Sequence, residues 1–178
     1  MRRALFALFL ATITADLAHA QQARQSSEPG SELRVYLMTF SPGDVIYERF
    51  GHNVICIHDP NPPATLVQDQ QAFELKYGSY PAVAPFNKTD IAYHYGAFDF
   101  AQPNFIGRFV QGRMLYWMAM DFASNTANAY AKQGRGILLQ ELNLTPAQKL
   151  GLERFLIRNA QPENRDYRYD YYRDNCST

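Results

Sequence analysis

Apolar residues alternate with polar or aromatic ones in several short stretches of the chain. This period of two is typical of half-buried β-strands. The clearest stretch, residues 33–40, is rich in β-branched and aromatic residues, and a Ser-Pro-Gly-Asp turn follows it. The stretches predicted as strands are 33–40, 52–58, 73–77, 91–100, 114–122 and 137–142. Polar sequence, or sequence that contains Pro and Gly, predicts loops over residues 64–71 and 78–90.

The best-defined helix is predicted to begin after Thr145, which is followed by Pro146 and, three residues on, by Gln148. A threonine N-cap, a proline at the first helical position and a glutamine at the third form a capping box. We expect this helix to run to about residue 159. The residues expected on its buried face are Leu152, Phe155 and Leu156. Shorter helices are predicted over residues 102–110 and 125–133.

The order of these elements predicts an α+β fold, with a mostly antiparallel sheet and helices packed against it. A length of 178 residues suits one domain, and the sequence contains no internal repeat and no sign of a second domain.

The first 20 residues are predicted to be a secretory signal peptide. Arg2 and Arg3 precede a stretch of about twelve mostly apolar residues, and Ala18-His19-Ala20 is a small-x-small cleavage site. The apolar stretch is shorter than the roughly 18 residues that would span a bilayer. Residues 21–32 are rich in Gln and Ser and are predicted to be a disordered leader. We therefore expect an exported, periplasmic protein whose folded domain covers residues 33–178.

The charges of the chain are balanced, with 17 basic and 17 acidic residues. A nucleic-acid-binding domain usually carries a net positive charge or a basic stripe, so we expect no nucleic-acid partner. The sequence also contains no pattern that indicates a cofactor, and none is expected.

Chemistry is expected at Cys176, which lies among polar residues far from any apolar stretch and is a poor candidate for core packing. His52 follows Gly51 at the start of a predicted strand. A nucleophilic site of this kind needs three groups. A thiolate attacks an acyl carbon, a histidine accepts the thiol proton, and a polar group orients the imidazole. We therefore predict that Cys176 is the nucleophile and His52 the base.

The sequence leaves the third residue of this site open. His94 lies on another predicted strand, in a polar and aromatic context, and is the first candidate. Asp99 is the alternative, and it would lie on the opposite face from His94 if the strand over residues 91–100 were regular.

A metal site is a further candidate, because His52, Cys56 and His58 share one face of a predicted strand and Zn²⁺ accepts nitrogen and sulfur ligands. His52 and His58 would, however, lie about 20 Å apart along an extended strand, so we expect no metal site. His58 is then expected to be a surface residue at the strand end. Cys56 is expected to be a buried thiol, with a disulfide to Cys176 as the alternative in an exported protein.

A nucleophilic cysteine is usually found at the start of a helix, where the helix dipole and unpaired N–H groups lower the thiol pKa. The chain ends two residues after Cys176, so we expect that it is a fragment. The Tyr-, Arg- and Asp-rich residues 164–174 are expected to form ion pairs and ring contacts that position the cysteine. Binding of phosphate head groups is the alternative.

Four segments together resemble the bacterial Lnb N-terminal periplasmic domain family. They are residues 47–53 (YERFGHN), 93–100 (YHYGAFDF), 142–146 (LNLTP) and 167–178 (YRYDYYRDNCST). The resemblance extends in the same order from about residue 35 to the end of the chain.

The resemblance implies a circularly permuted papain-like fold, similar to NlpC-type peptidases and lecithin retinol acyltransferase, in which the histidine strand precedes the cysteine helix. It aligns Cys176 with the family's Asn-Cys position and His52 with its Phe-Gly-His position. His94 lies where the family more often has Asn, and either residue can orient an imidazole. Family members typically continue past the cysteine, and some carry membrane helices.

Some members of this family act as lipoprotein N-acyltransferases, so the resemblance implies an exported thiol acyltransferase. Its acyl donor would be a phospholipid, its acceptor a lipoprotein amino terminus, and it would work at the membrane surface. A cell-wall amidase or peptidase with the same Cys-His dyad is the first alternative. A non-catalytic exported binding domain, in which Cys176 is structural, is the second. An apolar groove beside Cys176 would favour acyl transfer, and an open polar cleft would favour peptide hydrolysis.

Overall fold

The computed structural model describes residues 28–45, 48–49, 51–62 and 64–168, except for the side chain of Thr65. The predicted signal peptide and Cys176 lie outside these residues, as does most of the predicted leader.

Within the described residues the chain forms six strands and four helices. In order they are β1 (Arg34–Phe40), β2 (His52–His58), α1 (Ala64–Tyr77), β3 (Ile91–Ala97), α2 (Phe105–Val110), β4 (Leu115–Phe122), α3 (Ala123–Lys132), β5 (Ile137–Glu141), α4 (Pro146–Asn159) and β6 (Asp166–Arg168). The strands form one antiparallel sheet in the order β5-β1-β2-β3-β4-β6. The predicted α+β class and the antiparallel sheet are therefore confirmed.

The register of the sheet brings several strand ends together. Val54 in β2 lies opposite His94 in β3, and Leu115 in β4 lies opposite Arg168 in β6. Because neighbouring strands are antiparallel, the start of β2, the end of β3, the start of β4 and the end of β6 lie at one end of the sheet. We call this the His52 end, and the opposite end, where β2 finishes, the His58 end.

A helix packs against each face of the sheet, α3 on one face and α4 on the other. On the α3 face the buried residues are Tyr36, Met38, Phe40, Val54, Cys56, Phe86, Ala92, Ala123 and Ala127. On the α4 face they are Leu33, Val35, Ile57, Tyr93, Met118 and Leu156. The alternation along each strand thus separates two cores, and the even-numbered residues of β2 face α3.

The predictions for strands 33–40, 52–58, 114–122 and 137–142 are confirmed to within one residue at each end. The predicted capping box is also present, because the Thr145 hydroxyl accepts a hydrogen bond from Gln148 N, and the Gln148 side chain accepts one from Thr145 N. Leu156 is fully buried as expected, whereas Phe155 is 56% exposed. The prediction that Phe155 is buried is therefore wrong.

The segment between β2 and β3 is a correction to the sequence prediction. Residues 64–71 were predicted as a loop and 73–77 as a strand, but they form the single helix α1. The segment contains no Gly or Pro and is rich in Ala, Leu, Gln, Glu and Lys, which are good helix formers. Its apolar residues are not spaced at a helical period, which explains why the pattern did not reveal the helix.

β3 ends three residues earlier than predicted. The pairing with β4 shifts register between His94 and Ala97, and Gly96 within this irregularity has a φ of 92°. A β-bulge of this kind ends regular alternation, and only glycine adopts such a φ without strain. Asp99 therefore lies in the loop after β3, and the expectation that it faces away from His94 on a regular strand does not apply.

Candidate active site

His52 and His94 meet at the His52 end of the sheet, on the face covered by α3. Nε2 of His52 lies 3.3 Å from Nδ1 of His94. The two rings are nearly coplanar, with an interplanar angle of 16° and a centroid separation of 5.5 Å. Because the centroids are much farther apart than the two nitrogens, the rings face each other edge to edge, as an imidazole–imidazole hydrogen bond requires.

The other ring nitrogen of His94 is held by α3. Nε2 of His94 lies 3.0 Å from the hydroxyl oxygen of Thr126, which is 1% exposed. Since both ring nitrogens of His94 have a partner, its orientation is fixed from two sides. Nothing in the sequence singles out Thr126, because a threonine in a helix of small residues is ordinary.

Aromatic rings hold His52 in place on the side away from His94. The ring of Phe40 lies 6.3 Å from that of His52 at 15°, and the ring of Tyr130 lies 6.2 Å away at 14°. Phe40 and Tyr130 stack on each other with centroids 3.7 Å apart. These near-parallel rings form one apolar wall beside the imidazole.

Gly51 allows the chain to enter β2 directly before His52. Its φ is 73°, and a Cβ atom at this position would lie 2.7 Å from the carbonyl oxygen of Phe40. A side chain is therefore excluded both by the backbone conformation and by the close approach of β1. The glycine thus serves to place His52 beside Phe40.

Both histidines are held in the neutral state by their surroundings. Burial lowers the pKa of His52, and the nearby cation of Arg135 lowers it further. Burial also lowers the pKa of His94 to about 4, with a contribution from the charge on His52. Arg135 is itself buried and donates a hydrogen bond from Nε to the carbonyl oxygen of Ser41. A neutral imidazole is the form that can accept a proton, so the electrostatics suit a general base.

Cys176 lies outside the described residues, but the length of the chain limits how far it can be from His52. Arg168 ends β6 at the His52 end of the sheet, and Cys176 follows it eight positions later in the chain. An extended segment of that length spans about 26 Å, and the three strand spacings from β6 to β2 span about 14 Å. The chain is therefore long enough for Cys176 to reach His52.

Asp99, the alternative third residue, does not share the contact that His94 makes. Its carboxylate accepts a hydrogen bond from the backbone N–H of Ala101. It also lines a cavity of about 520 Å³ between the loop after β3 and the paired ends of β4 and β6, together with Leu115, Trp117 and Tyr167. Of the two candidates, His94 is the one that contacts His52.

His58 was expected to be a surface residue, and this expectation is wrong. Its Nδ1 atom lies 2.8 Å from the Asp90 carboxylate, and its side chain is only 16% exposed. Asp90 comes from the loop before β3, which the sequence pattern could not place against the end of β2. No group of residues suited to hold a metal ion occurs in the part of the chain that the structure describes.

Cys56 lies midway between the two ends of β2 as a free, fully buried thiol. Burial raises its pKa to about 12. A thiol with so high a pKa is almost entirely protonated at neutral pH and is a poor nucleophile.

Comparisons with curated proteins and with solved structures gave no match. Across the described ranges, no helix combines the length and the apolar character needed to cross a bilayer.

A family model described as the Lnb N-terminal periplasmic domain matches residues 20–178. The match includes all six strands and the positions of His52, His94 and Cys176. The description of the family as a periplasmic domain agrees with the predicted location. The chain therefore belongs to the Lnb N-terminal periplasmic domain family.

Proposed function

We propose that the protein is an exported cysteine-dependent acyltransferase, in which Cys176 carries the acyl group as a thioester and His52 is the base. The observation that carries the proposal is the hydrogen-bonded pair of His52 and His94, at the sheet end from which the chain continues towards Cys176. A histidine oriented by a second buried polar side chain is the arrangement that activates a thiol in nucleophilic catalysis.

In the first half of the proposed reaction, His52 accepts the proton of the Cys176 thiol. The thiolate attacks the ester carbonyl of a phospholipid acyl chain, and a carbon–sulfur bond forms. The carbon–oxygen bond of the ester then breaks, and the protonated His52 returns its proton to the leaving alkoxide. The products are the thioester on Cys176 and a lysophospholipid, so atoms and protons balance.

In the second half, the amino terminus of a lipoprotein attacks the thioester carbonyl. His52 accepts the proton that the amine loses, an amide bond forms, and the carbon–sulfur bond breaks. The proton on His52 then returns to the Cys176 sulfur. The lowered pKa of His52 supports this role, because the residue is neutral and ready to accept a proton at the start of each half.

Apolar surface near the His52 end supports a fatty acyl chain as the transferred group. The side chains of α2, which lies just before β4, are exposed: Ile106 by 76%, Phe109 by 60% and Val110 by 77%. Leu115, Trp117 and Tyr167 line the cavity at the start of β4. We place the phospholipid donor, and any contact with the membrane surface, on this side of the molecule.

The chain order, with the histidine strand before the cysteine, supports a circularly permuted papain-like fold. In such a fold, the oxyanion of each tetrahedral intermediate would be stabilised by backbone N–H groups at the start of the cysteine helix.

The proposal is tested by mass spectrometry of the protein after incubation with phosphatidylethanolamine vesicles. We expect an adduct with the mass of a fatty acyl group on the peptide that contains Cys176. The adduct should be absent in Cys176→Ser and strongly reduced in His52→Ala, while the matched control His58→Ala should retain it. An adduct that persists in Cys176→Ser would overturn the assignment of the nucleophile. Cleavage of a cell-wall peptide without any acyl adduct would instead favour the amidase or peptidase.

A further inference from the structure

We propose that Arg135 is a positioning residue for His52. Its guanidinium holds the rings of Tyr130 and Phe40 together beside the imidazole and brings an incompletely neutralised positive charge close to it. The catalytic meaning of this inference rests on the proposed function, whereas the placement of the rings and of the charge does not depend on it.

The end of α3 places Arg135 next to Tyr130. Gly134 N donates to the carbonyl oxygen of Ala131 at 2.9 Å, and Arg135 N donates to that of Tyr130 at 3.2 Å. This is the Schellman pattern, which favours glycine at the position of Gly134 because its φ is 70°. The turn folds the chain back, so that the guanidinium carbon of Arg135 lies 4.6 Å from the centroid of the Tyr130 ring. A cation at this distance over an aromatic face is attracted by the ring.

The same side chain fixes the end of β1. Nε of Arg135 donates to the carbonyl oxygen of Ser41 at 2.8 Å, and Ser41 follows Phe40, the last residue of β1. Two further hydrogen bonds join the backbone N–H and the hydroxyl of Ser41 to the residue after Arg135. Arg135 therefore links the neighbour of Phe40 to the ring of Tyr130, and the two rings stack with centroids 3.7 Å apart. Both rings lie nearly parallel to the imidazole of His52, so this link limits the positions that the imidazole can take.

The charge of Arg135 is incompletely neutralised. The carboxylate of Glu48 lies 4.0 Å from Nη1, and Nη2 is buried with no hydrogen-bond partner among the described residues. Buried charges are normally paired and hydrogen-bonded, so these contacts are unusual for an arginine that is only 7% exposed. The ring of Tyr130, which the guanidinium covers, has its centroid 6.2 Å from that of His52, so the cation acts on the imidazole at short range. The lowered pKa of His52 agrees with this placement, with burial as the larger cause and Arg135 as the smaller.

The other titratable side chains around His52 do not supply this positive charge. His94 on β3 is neutral at pH 7, because burial, and then the charge on His52, lower its pKa to about 4. Tyr130 on α3 is also neutral, since burial raises its pKa. Glu48, in the loop before β2, is acidic and acts against the cation. Arg49 in the same loop is exposed, so solvent screens its charge.

The inference is tested by an NMR titration of the histidine ring protons in the folded protein, with the His52 signal assigned by its loss in His52→Asn. Arg135→Met removes the charge, whereas Arg135→Lys retains it. We expect the titration midpoint of His52 to rise by roughly half a pH unit or more in Arg135→Met and to stay near that of the wild type in Arg135→Lys. An unchanged midpoint in folded Arg135→Met would overturn the inference.

The position of the rings is read from nuclear Overhauser contacts between the protons of His52 and Tyr130. We expect these contacts to weaken in both Arg135→Met and Arg135→Lys, because neither side chain has a planar guanidinium that can cover the ring and also bond to Ser41. Contacts of wild-type strength in both variants would show that Arg135 does not hold the rings.

Glu48→Gln tests the charge without altering the buried guanidinium, so it decides the question even if Arg135→Met does not fold. Loss of this carboxylate leaves the charge of Arg135 less neutralised. We therefore expect the midpoint of His52 to fall by roughly a few tenths of a pH unit. An equal or higher midpoint in Glu48→Gln would contradict the inference.

These titrations need no substrate, so their failure is distinct from failure of the acyltransferase proposal. In an acyl-transfer assay, the acid limb of kcat/KM should move to higher pH in Arg135→Met, together with the His52 midpoint, and should stay near that of the wild type in Arg135→Lys. If the midpoint moves and the acid limb does not, the placement of Arg135 stands and His52 is not the base of the reaction.

Discussion

His52 and His58 begin and end the same strand and point to the same face, yet their hydrogen-bond partners differ in kind. Nδ1 of His58 bonds directly to the buried carboxylate of Asp90 at 2.8 Å. Nε2 of His52 instead pairs with a second neutral imidazole, that of His94, whose other ring nitrogen lies beside the Thr126 hydroxyl. In this molecule His58 thus joins the end of β2 to a buried loop carboxylate, whereas His52 is joined to a neutral ring that orients it.

The surroundings of Asp90 support a structural role for the His58 end. Its carboxylate also accepts a hydrogen bond from Asn87 N at 2.8 Å, and its carbonyl oxygen accepts one from Ala123 N at 2.7 Å. Asp90 therefore ties together the loop before β3, the end of β2 and the start of α3. At the other end, His94 and Thr126 tie the same helix to the same strands but leave one nitrogen of His52 open.

The largest difference between the two ends should appear in activity. His52→Ala removes the proposed base, and we expect acyl transfer to fall about 10²- to 10⁴-fold. His58→Ala removes no group of the proposed reaction, so its rate should stay near that of the wild type. Initial rates of product formation, measured by mass spectrometry, make the comparison. Equal losses in the two variants would contradict the division of roles.

The two ends should also differ in how acid changes their contribution to the free energy of unfolding. Burial lowers the pKa of His94 from 6.5 to about 4, so the unfolded chain binds more protons than the folded protein between these values. Stability from this source is present above pH 6.5 and is lost as the pH falls towards 4, to a limit on the order of 3 kcal/mol. The stability contribution of Asp90 changes in the opposite direction. Burial raises the pKa of Asp90, so the folded protein holds this proton more tightly than the unfolded chain, and the contribution to stability declines as the pH rises above 3.8.

Urea unfolding at several pH values between 7 and 4 measures whether the free energy of unfolding falls with pH as expected for His94. We expect His94→Asn to lose less stability on acidification than the wild type, because asparagine does not titrate. An unchanged pH dependence in His94→Asn would show that the histidine pair does not govern acid stability.

The His58 end should carry the larger share of stability at neutral pH. His58→Ala leaves a buried carboxylate without one partner, and the other oxygen of Asp90 already has none among the described residues. We expect the free energy of unfolding to fall by about 1–3 kcal/mol. The double variant His58→Ala with Asp90→Asn should recover part of the loss. If it loses as much as the two single variants together, the two residues are not coupled.

The smallest effect is expected at Cys56, which lies between the two ends. Cys56→Ala removes one fully buried sulfur, and we expect a loss of about 1 kcal/mol with acyl transfer unchanged. Urea unfolding and the rate assay together check this. A large loss of activity in Cys56→Ala would mean that the wrong cysteine has been assigned as the nucleophile.

Alternation is a strong local signal where a strand is long, and the observed bounds of β2 are the predicted ones. β6, which has only three residues, was not predicted, and the strand predicted over residues 73–77 is part of α1. The sequence predicted that His94, with Asp99 as the alternative, orients the imidazole of His52, but it could not decide between the two. The contact between His52 and His94 depends on the β2–β3 register, which is set by distant parts of the chain. Thr126 could not be singled out from the sequence, because nothing around it separates it from an ordinary helix residue.

The errors have equally local causes. The apolar residues of α1 are not spaced at a helical period, so only its content of good helix formers indicates the helix. The irregularity after His94 needs a bulge at Gly96, which the alternation alone does not reveal. The Asp90 partner of His58 comes from a loop that carries no periodic pattern.

The most direct test of the account is the rate at which iodoacetamide alkylates Cys176 at pH 7. The protein also contains Cys56, but burial and a pKa of about 12 should keep that thiol unreactive in the folded state. We predict that His52→Asn slows the alkylation of Cys176 roughly tenfold or more, because the base that takes the thiol proton is lost. His58→Asn should react at the rate of the wild type. Equal rates for Cys176 in the wild type and His52→Asn would contradict the pairing of cysteine and histidine.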